Sequence, residues 1–189
     1  LDMLAEGAEA DIVEVAPGRY APVTVPAGLG NLVIAGTDAS SCVIDGTLGS
    51  GRCVDAQSAV ILSNLTFRAG SADGDGGGVK GARLVINCII DGCSATGAGG
   101  GVAGNGANSS EVMLSLFKDC TAARGTAVSG VTALNCTFVS PAGSTAAVDG
   151  ESSLRGCLLV NGSANLSRET YVLDNPEEEV VGGRNEYVL

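Results

Sequence analysis

The sequence predicts an all-β protein, a parallel β-helix in which short strands stack coil upon coil. Two neighbouring stretches, Ala59–Val79 and Ala82–Val102, share one pattern: an apolar run, an asparagine step, a second apolar pair and a glycine triplet closed by valine. The apolar runs are short, are separated by Gly, Asp or Asn, and show no helical periodicity between them. Aromatic residues make up only 3% of the 189 residues, so the core must consist of small aliphatic side chains in thin layers.

Charge and hydropathy exclude several classes of function. The net charge is −11, and no basic patch is present for nucleic acid or for an anionic membrane surface. No apolar run approaches the ~20 residues of a membrane-spanning helix. At 45% apolar residues the chain is nevertheless expected to form one folded domain with a substantial core.

The N-terminal elements can be assigned in order. Residues 1–10 predict a short amphipathic helix that caps the first coil, because Leu1, Leu4 and Ala8 share one face. A turn is predicted at Pro17–Tyr20. Short strands are predicted at Ile12–Val15, Val23–Val25, Leu32–Ile34, Cys42–Ile44 and Cys53–Val54.

From Val60 onward the coils have a measurable period. The anchor positions are Asn64, Asn87, Leu114, Asn135 and Gly156, separated by 23, 27, 21 and 21 residues. Two inward columns follow each anchor, one mostly small (Leu65, Cys88, Ser115, Cys136, Cys157) and one large (Phe67, Ile90, Phe117, Phe138, Leu159). Seven or eight coils are expected over residues 11–162. Residues 163–189 break the repeat and predict a C-terminal cap with a solvated acidic run.

These motifs resemble known families. The segments VEVAPGRYAPVTV and LVIAGTDASSCVIDG are similar to the first coils of right-handed β-helix proteins of the pectin-lyase-like superfamily. The triplets Gly76–Gly78 and Gly99–Gly101, each followed by valine, resemble polymorphic-outer-membrane-protein repeats. The resemblance covers roughly residues 11–162 and implies a right-handed solenoid. It implies no single activity, because this fold carries lyases, hydrolases, esterases, adhesins and inert scaffolds.

The residues do not predict catalysis. Polysaccharide hydrolysis on one face needs two carboxylates ~5–9.5 Å apart, and the acids of this chain are scattered. The chain has no histidine to act as a general base near neutral pH. No cofactor is expected. The one metal candidate is Ca²⁺ at Asp73 and Asp75, whose alternative interpretation is a solvated Asp-Gly turn.

The seven cysteines are an odd number, so they cannot all pair internally. A mainly reduced packing role is expected, with Cys93–Cys120 as the bridge if one forms, because these residues lie on adjacent coils. Of five Asn-X-Ser/Thr sequons, Asn64 and Asn135 are expected to be structural. Asn108, Asn161 and Asn165 are glycosylation candidates if the protein is secreted.

One coil departs from the pattern and indicates a partner-binding face. With Met113, Ser115 and Phe117 inward, Val112, Leu114 and Leu116 would point outward as an apolar patch. The alternative is a register error of one residue, which would exchange the two faces.

The function expected from these observations is structural or adhesive. The solenoid would be a rigid scaffold that binds other protein subunits, at a cell surface, outside the cell or in an organellar lumen. The alternative is a polysaccharide-active or polysaccharide-binding protein. No nucleic-acid partner and no direct membrane insertion are expected.

Overall fold

A computed structural model describes residues 11–106, 109–141, 146–149, 152–161 and 170–173. Within these residues the chain forms an all-β parallel solenoid of about six turns. Each complete coil carries strands in three sheets, and the one helix in the described residues is the short 3-10 turn Gly46–Leu48. The fold class predicted from the sequence is confirmed.

The first two coils contain β1 (Asp11–Val15), β2 (Gly18–Tyr20) and β3 (Val23–Val25), then β4 (Leu32–Gly36), β5 (Cys42–Asp45) and β6 (Val54–Ala56). Coil three contains β7 (Val60–Ser63), β8 (Thr66–Arg68), β9 (Ser71–Ala72) and β10 (Val79–Lys80). Coil four contains β11 (Leu84–Ile86), β12 (Ile89–Asp91), β13 (Ser94–Ala95) and β14 (Val102–Ala103).

Coil five contains β15 (Ser110–Met113), β16 (Leu116–Lys118) and β17 (Val128–Ser129), and coil six contains β18 (Val131–Leu134) and β19 (Thr137–Val139). Beyond them lie β20 (Ser153–Arg155), β21 (Cys157–Val160) and β22 (Thr170–Leu173). These last strands continue only two of the sheets within the described residues. The number of turns is therefore about six, below the predicted seven or eight.

The strands form three long sheets, all with parallel neighbours. Sheet one has the order β1-β4-β7-β11-β15-β18-β20, and sheet two has the order β2-β5-β8-β12-β16-β19-β21-β22. Sheet three has the order β3-β6-β10-β14-β17. Strands β9 and β13 form a separate two-stranded pair. Equivalent residues of successive coils are therefore stacked directly upon one another.

The inward columns predicted from the period are confirmed. Phe67, Ile90, Phe117, Phe138 and Leu159 are register partners along sheet two and are at most 1% exposed. The rings of Phe117 and Phe138 stack with centroids 4.9 Å apart. The small column of Leu65, Cys88, Ser115, Cys136 and Cys157 is likewise buried. Large and small side chains thus alternate to fill a narrow core.

The glycine triplets close the turns from sheet two to sheet three. Gly76 and Gly99 have φ values of 71° and 64°, a region that disfavours residues with a Cβ. A Cβ added to Gly77 or Gly100 would overlap carbonyl oxygens of the next coil. The triplets therefore serve backbone stacking, as the recurrence in the sequence predicts.

The first coil differs from its prediction. The segment expected as a turn at Pro17–Tyr20 contains strand β2, in which Tyr20 pairs with Ile44 and donates its hydroxyl to the carbonyl of Ala16 at 2.8 Å. The inward residues of this coil are poorly covered: Val13 is 49% exposed and Tyr20 and Val23 are each 37% exposed. The predicted cap at residues 1–10 lies outside the described residues. Of the predicted C-terminal cap, only β22 is described.

Candidate interaction surface

The face predicted at coil five needs one correction. Val112 does not point outward: it is fully buried and pairs with Val85 and Ala133 in the inner column of sheet one. The cause is Leu114, whose left-handed conformation (φ 50°) resets the alternation of side chains between β15 and β16. The outward residue of β15 is Met113, and the interpretation of Val112 as part of an outer face is wrong.

The corrected surface wraps around a corner of the solenoid. Leu114 is 55% exposed at the corner, and Leu116 is half-buried on the outer face of sheet two. Both stacked partners of Met113, Ile86 and Leu134, are apolar and partly exposed, and so is Ile89, one partner of Leu116; the other partner of Leu116 is the polar Thr137. We call this surface the apolar corner; its residues are Ile86, Ile89, Met113, Leu114, Leu116 and Leu134.

Leu114 occupies a position where coils three, four and six carry asparagine and the turn before β21 carries glycine. Asn64, Asn87, Asn135 and Gly156 stack with it, and all have φ values between 52° and 59°. Asparagine and glycine tolerate this conformation, whereas for other L-residues it costs roughly 1–2 kcal/mol. Asn87 also donates its side-chain amide to Asn64 Oδ1 at 2.7 Å. Leu114 has the strained backbone and can make no such side-chain hydrogen bond.

A ladder of charges runs along the outer face of sheet two beside the apolar corner. Its register order is Asp45, Arg68, Asp91 and Lys118. Asp91 Oδ2 lies 3.4 Å from Arg68 Nε and 3.1 Å from Lys118 Nζ. The next two ladder positions, Val139 and Val160, are apolar, so the face changes from charged to apolar between coils five and six.

Asp45 anchors the buried end of this ladder. Its Oδ1 accepts from the Thr47 hydroxyl at 2.6 Å, and its Oδ2 accepts from Arg19 Nη2 at 2.6 Å. The Thr47 hydrogen bond and then Arg19 lower the pKa of the Asp45 carboxyl from its ordinary 3.8 to about 2, against the opposing effect of burial. The carboxylate therefore stays charged under all but strongly acidic conditions.

Asp73 and Asp75 connect coil three to coil four. Asp75 Oδ1 accepts from the backbone N–H of Ala98 at 2.8 Å, and its Oδ2 lies 3.8 Å from Lys80 Nζ. Thr96 donates its hydroxyl to Asp73 Oδ1 at 3.1 Å. These contacts give Asp73 Oδ1 and both oxygens of Asp75 partners within the protein. Among the residues with described positions, no three His, Cys, Asp or Glu side chains are grouped to hold a metal ion.

All seven cysteines are buried and free. The bridge predicted between Cys93 and Cys120 is therefore absent: their thiols donate to the carbonyls of Phe67 and Lys118, each at 3.5 Å. Burial raises the pKa of the Cys120 thiol to about 12. The thiols of Cys136 and Cys157 donate to backbone carbonyls of Val112 and Ala133, each at 3.5 Å, and the neighbouring Cys136 thiol lowers the pKa of Cys157 against the opposing effect of burial. The cysteines thus serve as small core residues.

Only one of the three predicted glycosylation sites lies in the described part of the chain. Asn161 is exposed and has a φ of 54° at the turn after β21. Asn108 and Asn165 lie outside the described residues. Asn64 and Asn135 occupy the stacked corner positions expected of them.

The chain was compared with known protein families, curated proteins and solved structures. No known family, curated protein or solved structure matches the chain. The described part of the chain contains no helix with the length and apolarity to cross a membrane.

Sequence reasoning identified Leu114 and Leu116 but missed Met113 and its neighbours Ile86 and Ile89. The signal for them was available in the anchor column, where leucine replaces asparagine. A left-handed residue at the anchor means that side chains on its two sides do not continue a single alternation. When the alternation is restarted at the anchor residue of every coil, the side chains of Met113 and Ile86 are predicted to point outward.

Proposed function

We propose that this protein is a non-catalytic scaffold that binds another protein through the apolar corner. The observation that carries the proposal is Leu114, which combines a left-handed backbone with a side chain that is 55% exposed. Both features are unfavourable for the isolated chain. The same corner in other coils shows that asparagine suits this position, so the leucine is explained by a contact made outside the solenoid.

The surroundings of Leu114 support such a contact. Met113 and Leu116 flank it in the chain, and Ile86 and Ile89 extend the apolar surface onto coil four. A contiguous exposed apolar patch on a monomer marks an interaction site more often than scattered apolar residues do. The strands beneath are held by hydrogen bonds to the coils on either side, such as Leu116 N–H to the carbonyl of Cys88 at 2.9 Å. A rigid surface loses little entropy when it binds.

The test replaces Leu114 by the residue found at the same corner in coil four. Leu114→Asn should leave the fold intact and raise the free energy of unfolding by about 0.5–1 kcal/mol, because asparagine accepts the left-handed backbone. The same variant should abolish binding. The immobilised wild-type and variant proteins are compared for the proteins they retain from the native source, and each is unfolded in urea.

Leu48→Asn is the matched control, since Leu48 is another exposed leucine (48%) distant from the corner in the sequence. The proposal requires a partner retained by wild type and Leu48→Asn but lost with Leu114→Asn. Identical retention by all three would overturn it. Unfolding of Leu114→Asn would show instead that the residue belongs to the core.

The alternative of a polysaccharide-active protein is tested separately. Wild-type protein is incubated with acidic and neutral polysaccharides, with and without Ca²⁺. Reproducible cleavage would replace the non-catalytic proposal.

A further inference from the structure

A second feature lies on another side of the solenoid, around sheet three. Here a cleft of about 270 Å³ is lined by the polar residues Asp75, Lys80, Asn105, Arg124 and Ser129. Most of the remaining lining is glycine and alanine. The cleft is formed by consecutive coils, from coil three to coil five, and shares no residue with the apolar corner.

The charge of the cleft is opposite to that of the chain. Its lining contains two cations, Lys80 and Arg124, and one carboxylate, Asp75, whereas the whole chain has a net charge of −11. Asp75 is already engaged by the N–H of Ala98 and, loosely, by Lys80 at 3.8 Å. A second carboxylate, Asp149, adjoins the cleft and accepts a hydrogen bond from Ser129. Neither acid contacts Arg124 in an ion pair.

Arg124 differs from most of the Lys and Arg side chains that the structure describes. Five Lys and Arg side chains form ion pairs with aspartates: Arg19, Arg52, Arg68, Lys80 and Lys118. Arg124 is exposed and has no ion pair within the described residues, although acids outnumber bases 21 to 10. A guanidinium without a carboxylate partner is free to bind an anion, with two parallel N–H donors matched to two oxygens.

The lining also leaves backbone accessible to a small ligand. A Cβ added to Gly104 would overlap the carbonyl oxygen of Gly130, and a Cβ added to Gly130 would lie 2.5 Å from the carbonyl oxygen of Gly106. Stacking therefore requires glycine at both positions. Gly106 differs from them: it is exposed, and a Cβ added there would meet no heavy atom within 4 Å, so a small ligand can approach its peptide group.

We propose that this cleft binds a small oxyanion, a phosphate or carboxylate group, through Arg124. Arg124 supplies a bidentate pair of donors, and Lys80 supplies a second positive charge. Asn105 adds an amide donor at the edge. The cavity volume limits the ligand to a small molecule or to the end group of a larger one. This site goes beyond the proposed scaffold function and does not depend on it.

The experiment is a titration of the ¹⁵N-labelled protein with inorganic phosphate and, in a separate arm, with acetate at constant ionic strength. Saturable shifts are expected for the amides of Gly104, Gly106 and Gly130. The arm that saturates at the lower concentration identifies the preferred oxyanion. No saturable shift at these amides in either arm would overturn the proposal.

The matched variants are Arg124→Ala, Arg124→Lys and Arg155→Ala. Arg124→Ala should weaken binding roughly tenfold, and Arg124→Lys should restore only part of it because lysine keeps the charge without the paired donors. Arg155 is also exposed and has no ion pair within the described residues, but it lies on sheet one. Its replacement should change nothing. Equal weakening by Arg155→Ala would show non-specific attraction and refute the site.

Discussion

Coils four and five turn the same corner with different side chains. Asn87 and Leu114 have almost identical backbone angles, with φ values of 52° and 50°. Asn87 uses its conformation inside the molecule, through the hydrogen bond to Asn64. Leu114 instead presents an apolar side chain to the outside. The repeat thus fixes the backbone of a coil but leaves the corner side chain free to serve stability or binding.

The contrast between Asn87 and Leu114 concerns only side chains on the outer surface. The core of coil five should therefore resemble that of the other coils, and the largest effect is expected from a substitution there. Phe117→Ala should lower the free energy of unfolding by about 3–5 kcal/mol, because the ring is buried and stacked on Phe138. Leu116→Ala, one residue away on the outer face, should cost about 1 kcal/mol or less. Urea unfolding followed by circular dichroism measures both. Similar losses for the two variants would mean that coil five lacks the inside–outside distinction described above.

A smaller effect is expected at the polar corner. Asn87→Ala removes the hydrogen bond to Asn64 and the residue that tolerates a left-handed backbone, so it should destabilise by about 1–2 kcal/mol. Asn87→Gly keeps the backbone preference and loses only the hydrogen bond. The unfolding temperature of Asn87→Gly should therefore lie between those of wild type and Asn87→Ala. If both variants match wild type, asparagine has no stabilising role at the corner and the contrast with Leu114 fails.

Low pH should also destabilise the fold, through Asp45 on the outer face of sheet two. The folded-state pKa of Asp45 is lowered from 3.8 to about 2, so its stabilising contribution is complete above pH 3.8 and is lost as pH falls towards 2. The unfolding temperature should therefore fall between pH 7 and pH 2, and this fall should be smaller in the Asp45→Asn variant. Leu114 has no titratable group, so binding at the apolar corner should be constant from pH 7 to pH 4. If binding weakens over the pH range in which carboxylates become protonated, the partner binds the charged ladder and not the apolar corner.

The sequence was sufficient for the parts of the structure that repeat. The spacing from Asn64 to Gly156 placed every buried member of the Phe67 column correctly, because stacking demands one type of side chain at each inward position. It failed for Val112, because the alternation of side chains was continued through Leu114, although the column of asparagines marks that position as a left-handed corner. It also failed for Tyr20: a Pro-Gly step indicates a turn, yet the pairing of Tyr20 with Ile44 extends the strand.

The cleft around sheet three was beyond prediction for a different reason. Lys80, Asn105 and Arg124 belong to different coils, and loops of different length separate them. Loop length determines which side chains meet across coils, and composition alone carries no record of it. Asp75 was recognised as a possible ligand, but its contact with the backbone of Ala98 depends on the same unpredictable loop geometry.

The poorly covered inward residues of the first coil have a consequence for how the molecule comes apart. A stacked solenoid gains most of its stability from contacts between adjacent layers, so a layer whose inward side chains are exposed is held less firmly. Val13 at 49% exposure has a buried counterpart in Ile34 at 8% on the next layer. Amide exchange is therefore expected to be faster in β1, β2 and β3 than in β7 and β8 around the buried Phe67.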